Sequence, residues 1–160
     1  MGLDMYLERC DRSVWGYKDM DIDEVKKNNP NLYQTLKPFI VTRGNYYHWE
    51  SLFEEVGYWR KANAIHKWFV DNVQDGVDDC GTYEVSKEKL ENLLEICNDV
   101  VYKGKQVAQT LLPTQEGFFF GSTDYDDWYM KDIKNTITIL TKVLKETDFE
   151  RQMVVYSSSW

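Results

Sequence analysis

The chain is poor in the residues that carry most signature chemistry. It has two histidines, three cysteines and three prolines among 160 residues. Neither an HExxH pair nor a Cys/His cluster is present, so no catalytic metal is expected and no cofactor is implied. Cys10, Cys80 and Cys97 are odd in number, widely spaced and free of any CxxC pair, which predicts reduced thiols in a reducing compartment. No apolar run approaches the ~18 residues that a membrane span needs. The opening MGLDMYLERC has an acid at position 4 and no apolar core, so no signal peptide is expected. A soluble, cytoplasmic protein follows. Basic residues are the minority, 19 against 27 acidic, for a net charge of −8. That balance excludes the basic footprint on which non-specific nucleic-acid or anionic-membrane binding rests. The acids are interspersed with lysines rather than arrayed in a block, which describes a solvated face better than a nucleic-acid mimic.

Catalytic fingerprints are missing as well. There is no nucleophile elbow, Walker loop, dinucleotide fingerprint or Cys–His pair at the required spacing. Glu54-Glu55 and Asp78-Asp79 are adjacent in sequence, so on regular elements they point apart and are weak candidates for acid–base work.

What the chain has in quantity is aromatic surface, 15% of residues, with six Trp and eleven Tyr. Tyr and Trp join a large contact area to a polar handle and serve cores and binding surfaces alike. A hydrophobic share of 42% with 29% charged is that of an ordinary globular protein, and the length suits one domain spanning 1–160.

Periodicity orders the elements. Leu3, Met5 and Leu7 alternate with Asp4, Tyr6 and Glu8, a half-buried strand. Ser13 to Asp21 reads as loop, and Asp21 to Lys27 as a short helix. Pro30 fits the first position of a second short helix capped by Asn29 and running to about Lys37. A Gly44-Asn45 turn follows, and His48-Trp49-Glu50 leads into a weakly helical segment. The central helix is placed from Ser51 or Gly57 to Val73, ended by Asp75-Gly76. Thr82 to Val85 is a short strand, and Ser86 caps a helix with a stripe of Leu90, Leu93, Leu94, Cys97, Val100 and Val101. Gly104 breaks it, and 105–112 makes another short helix. A loop, LPTQEGFFFGS, leads to the last helix, expected from Ser122 or Thr123 to about Glu146, and Arg151 to Ser157 closes the chain as a strand. The expectation is an α+β fold, mainly helical, with a small sheet that joins the N- and C-terminal strands.

Candidate site residues concentrate in Val56–Val73. On a helical wheel, Tyr58, Trp59, Ala62, Ile65 and Phe69 share an apolar arc, while Arg60, Asn63, Lys67 and Asp71 gather opposite. Arg60, Asn63 and Lys67 on one stripe suit a phosphate or carboxylate, with Trp59 and Trp68 flanking to stack on a base. The plainer alternative is a solvated face with a Lys67–Asp71 pair. His66 lies within the apolar arc, either as a core histidine bonded to a carbonyl or a tyrosine, or as a ligand contact or proton carrier in a polar pocket. In the loop, Thr114 and Gln115 suit base-edge or sugar recognition, unless the loop is a connection with Phe118 to Phe120 plugged into the core. Gly121-Ser122-Thr123 resembles an anion-binding helix start, but Asp124, Asp126 and Asp127 would repel a phosphate, so ordinary capping is expected there.

The segments MGLDMYL, EVGYWRKANAIHKWFV, DDCGTYEVS and LLPTQEGFFFGSTDYDDWY together resemble a family of small proteins encoded by phages and prophages. The resemblance runs from residue 1 through the last helix and is most specific in YWRKANAIHKWFV. It implies expression in the bacterial cytosol and carries over no catalytic residue. The leading expectation is a non-enzymatic host-defence antagonist that sequesters a small anionic ligand, such as a nucleotide immune signal, using Trp59, Arg60, Asn63, His66, Lys67, Trp68, Thr114 and Gln115. A protein–protein inhibitor acting on a host protein through an acidic, aromatic-rich surface is the alternative, and a nucleotide-degrading enzyme using His66 is the third reading. Homo-oligomerisation is left open.

Overall fold

The first strand, β1 (Asp4–Asp11), sits in the middle of a four-stranded antiparallel sheet. In this computed structural model, which describes residues 2–17, 20–43, 46–48 and 53–160, the sheet has the order β4-β1-β6-β5. Its other strands are β4 (Glu54–Arg60), β5 (Thr82–Val85) and β6 (Gln152–Ser159). β1 pairs with the C-terminal β6 along its full length, from Asp4 opposite Ser159 to Asp11 opposite Gln152. The two ends of the chain therefore share the centre of the sheet, and the fold is α+β.

Alternation assigns the two faces. Met5 and Leu7 of β1, with Val154 and Tyr156 of β6, point into the main core. Three helices cover that face: α3 (Asn63–Val73), α4 (Lys87–Lys103) and α6 (Asp127–Glu146). Ile65, Leu93, Cys97, Ile133 and Leu140 are fully buried there. On the opposite face, Cys10, Met153 and Val155 pack with Phe53, Val14 and Trp15 in a smaller cluster. A 3-10 turn at Arg12–Tyr17 supplies Val14 and Trp15 to it, and two short helices follow in the chain, α1 (Ile22–Asn28) and α2 (Pro30–Leu36). Asn29 caps α2 ahead of Pro30, as the sequence predicts, and Asp21, expected as the first residue of the short helix, is instead the cap of α1. A separate hairpin pairs β2 (Val41–Arg43) with β3 (Tyr46–His48); the expected Gly44-Asn45 turn and Trp49-Glu50 lie outside the described residues. Ser86 caps α4, and Gly104 separates it from α5 (Lys105–Leu111).

Three expectations are corrected. Of the helix expected from Ser51 or Gly57 to Val73, Ser51 lies outside the described residues, and the stretch from Glu54 on is a strand followed by a helix. Glu54–Arg60 forms β4, with Trp59 opposite Met5 and Gly57 opposite Leu7, and only Asn63–Val73 is helical. EVGYWR is rich in β-branched and aromatic residues, and β1 offers it an unpaired edge, so pairing overrides a helical wheel that also fits the letters. The break falls at Lys61, whose φ of 59° is left-handed and can continue neither element. Secondly, α6 begins at Asp127 rather than Ser122 or Thr123. The Asp126 carboxylate accepts from the amides of Trp128 and Tyr129 and sets the start, while Ser122 Oγ accepts from the Asp124 amide in a turn. Thirdly, only Phe120 of the three consecutive phenylalanines is buried; Phe118 is 94% exposed.

Candidate functional site

The β4–α3 junction is where sequence and geometry combine to make a cavity. Trp59, at the end of β4, turns inward; it is 2% exposed and its indole donates to Thr136 Oγ1 at 2.9 Å. The following residue, Arg60, must face the other way, and Lys61 then reverses the chain in its left-handed conformation. The Lys61 amide donates to the Leu3 carbonyl at 2.7 Å, which ties the turn to the start of the chain. α3 begins at Asn63 with Ala62 before it, so the helix has no side-chain cap and no acid in its first turn. An uncapped helix start leaves amide donors and the positive end of the helix dipole unanswered.

That start opens into a cavity of about 290 Å³. Arg60, Lys61 and the first turn of α3 form one wall. Thr114, Gly121, Ser122 and Asp124 of the loop form the second, and Asp126, Trp128, Tyr129 and Asp132 of α6 the third. The loop approaches closely because Gly121 has φ 89° and no side chain; a Cβ there would lie 3.2 Å from Lys61 Cβ. Neither Arg60 nor Lys61 is ion-paired among the described residues, and both are exposed.

Asn63 holds the loop in place. Its side-chain amide donates to the carbonyls of Phe120 at 3.0 Å and Ser122 at 2.8 Å, and its Oδ1 accepts from the Gln115 amide at 3.1 Å. At 4% exposure, this residue uses its amide to position the wall. Thr114 is fixed in turn, its hydroxyl donating to the Thr123 carbonyl at 3.0 Å.

The acids on the third wall differ in kind. Asp126 is occupied as a cap. Asp132 is half-buried, and its carboxylate accepts no hydrogen bond from the described residues. Burial pushes its carboxyl up to about 6, Lys131 pulls it down and Asp126 adds to the rise. Trp128 lies one helical turn before Asp132 and is 70% exposed, with Lys131 Nζ 4.9 Å from its ring centroid.

His66 lies in the core, away from this cavity. It is fully buried, with Nδ1 2.8 Å from the Tyr156 hydroxyl and Nε2 2.9 Å from Asp78 Oδ2. The Asp78 carboxylate accepts from Nε2–H, and Nδ1 shares a hydrogen bond with the Tyr156 hydroxyl, a phenol that burial holds well above its ordinary range. Trp160 donates its indole N–H to the other Asp78 oxygen at 3.1 Å. Phe120 meets the imidazole edge-on and Tyr156 stacks on Phe69, with ring centroids 4.0 Å apart. Both imidazole nitrogens are thus satisfied inside the fold.

Of the eight residues singled out in the sequence, Arg60, Asn63 and Thr114 line the cavity. Trp59 and Trp68 are buried and unavailable for stacking on a ligand. Lys67 pairs with Asp71 at 2.7 Å on the exposed side of α3, the plainer of the two readings. Gln115 meets Asn63 through its backbone. Trp128 and Asp132 were missed, although their spacing of four residues on a helix is the signal that places them side by side. No disulfide joins the three cysteines. Among the described residues no group of three His, Cys, Asp or Glu is placed to hold a metal, and no helix is long and apolar enough to cross a membrane. No protein-family model, curated protein or solved structure matches the chain.

Proposed function

We propose that this is a phage-encoded accessory protein that antagonises host defence by binding and sequestering a small anionic ligand, such as a nucleotide immune signal, in the cavity at the start of α3. The observation that carries the ligand class is the uncapped N-terminus of an 11-residue helix opening between two cations, Arg60 and Lys61, that have no acidic partner among the described residues. The positive end of the helix dipole faces a space that Arg60 and Lys61 also line, a combination suited to a phosphate. Trp128 supplies the exposed ring that the buried Trp59 and Trp68 do not. The cavity volume, about 290 Å³, is near the lower end of the roughly 300–1,000 Å³ of small-molecule sites, which suits one nucleotide unit. The defence role rests on the resemblance to phage and prophage proteins and on no residue of the cavity.

Calorimetric titration with mononucleotides, cyclic di- and trinucleotides and ADP-ribose derivatives tests this reading. Binding that weakens at least about tenfold in Arg60→Ala supports it; silence across the panel, or unchanged affinity in that variant, overturns it. A binder returns its ligand intact after denaturation, whereas a nucleotide-degrading enzyme returns product, which chromatography resolves.

A second reading, inhibition of a host protein through an acidic and aromatic surface, is favoured by the exposure of Phe118 and Trp128 beside Asp124 and Asp127. One stoichiometric host partner, recovered by pull-down and lost on charge reversal at Asp124 and Asp127, would select it.

A further inference from the structure

The cavity is not uniformly cationic, and its third wall constrains the part of the ligand that is not phosphate. Trp128 and Asp132 are neighbours on one stripe of α6, so a flat ring stacked on the indole presents its edge to the carboxylate. Asp126 is occupied as a cap, whereas the Asp132 carboxylate accepts nothing from the described residues and is already partly desolvated. A half-buried carboxylate costs stability unless donors reach it, and here no described protein group donates, which leaves its two oxygens to solvent or to a ligand that displaces it.

We propose that the ligand is a nucleotide with a guanine-type base, its phosphate at Arg60, Lys61 and the start of α3, its ring on Trp128 and its Watson–Crick edge on Asp132. This assignment rests on the anion-binding reading above. An ionised carboxylate is acceptor-only and has two oxygens. Guanine offers two adjacent donors, N1–H and the 2-amino group, and satisfies both oxygens. Hypoxanthine offers N1–H alone. Adenine and cytosine set a ring-nitrogen acceptor beside their amino group, so one carboxylate oxygen faces a lone pair. Sites built on paired donors and acceptors reject analogues that leave a polar atom unanswered.

The test is calorimetric titration of the full chain at pH 7.5 with guanosine, inosine and adenosine 5′-monophosphates and with inorganic phosphate. The expected order is guanosine over inosine over adenosine, with at least about tenfold between the first and the last. Asp132→Asn should abolish that preference without weakening inorganic phosphate binding, since it removes a like charge from the cavity. Trp128→Ala, an exposed position whose loss does not threaten folding, should weaken all three nucleotides alike and spare phosphate. Equal affinity for the guanine and adenine nucleotides, or a preference that survives in Asp132→Asn, overturns the base assignment. If those equal affinities still fall in Arg60→Ala, the anion site stands and only the base assignment is lost. If neither phosphate nor any nucleotide binds, both readings fall.

Discussion

Asn63 donates to the Ser122 carbonyl at 2.8 Å, and through that bond the start of α3 fixes the distance to the loop that walls the cavity. The same side chain also donates to Phe120 and accepts from Gln115. Asn63→Ala removes three hydrogen bonds at a buried position and leaves two carbonyls and one amide to find water. A loss of about 2–3 kcal/mol in urea unfolding is expected. Faster amide exchange should be confined to residues 113–123. Exchange that accelerates uniformly would show that Asn63 does not act through the loop.

Gly57 gives a test of β4 in which the sign decides. In an exposed helix, Gly→Ala would stabilise by about 0.5–1 kcal/mol. In β4, a Cβ at position 57 would lie 2.6 Å from Ile139 Cγ2 of α6 and 3.4 Å from Leu7 Cβ. Gly57→Ala is therefore expected to destabilise by about 1–3 kcal/mol through overpacking. Stabilisation measured by chemical denaturation would contradict the strand.

Asp132 is expected to oppose folding when ionised. Its carboxyl is raised from the usual 3.8 to about 6, first by burial. Between those values the folded chain holds a proton that the unfolded chain has lost, so this group's contribution is full below about pH 3.8 and disappears as pH rises through 6. Asp132→Asn should be more stable than the native chain at pH 7.5, by about 1–2 kcal/mol after allowance for its partial exposure, and level with it near pH 4. Equal stability at both pH values would contradict the shift.

Base preference should follow the same titration. Below about pH 6 a protonated Asp132 donates as well as accepts, which matches the alternating edge of adenine. Titrations at pH 5 should therefore narrow or reverse the guanine preference seen at pH 7.5. The charged groups around it are Asp126 and Lys131 on α6, Asp124 on the loop and Arg60 and Lys61 across the cavity. Asp132→Asn should remove the pH dependence if Asp132, rather than these neighbours, produces it.

The thiols should react unequally. Cys80 is exposed, Cys10 and Cys97 are buried, and burial pushes Cys97 up to about 12. A thiol-specific dye is expected to titrate one group rapidly in native protein and three in denaturant, with the rapid group lost in Cys80→Ser. A rapid group that persists in that variant would place Cys10 or Cys97 at the surface.

Much of the architecture was readable from local chemistry. The alternation of Leu3, Met5 and Leu7, the caps at Asn29 and Ser86, and the stripe from Leu90 to Val101, in which only Val101 is exposed, each state their element without help from the rest of the chain. These signals depend on neighbours one to four residues apart, and the structure forms each of these elements. The opposition of the terminal strands followed from economy of pairing, and β1 and β6 do pair.

EVGYWR was the place where local pattern was insufficient. Its letters fit a helical wheel with the residues that follow, and nothing within ten residues shows that β1 has an edge to pair. Tertiary contact decided it, and with it the fate of each aromatic. Trp59 became core because β1 lies opposite, Trp128 remained in solvent because Asp126 starts α6 just before it, and His66 was closed in by Asp78 and Tyr156, twelve and ninety residues away. Composition and periodicity determined that this chain folds as an acidic, aromatic-rich α+β domain. Which of its charges face one another across a cavity depended on strand pairing and loop docking, interactions between residues too distant in sequence to leave a periodic trace.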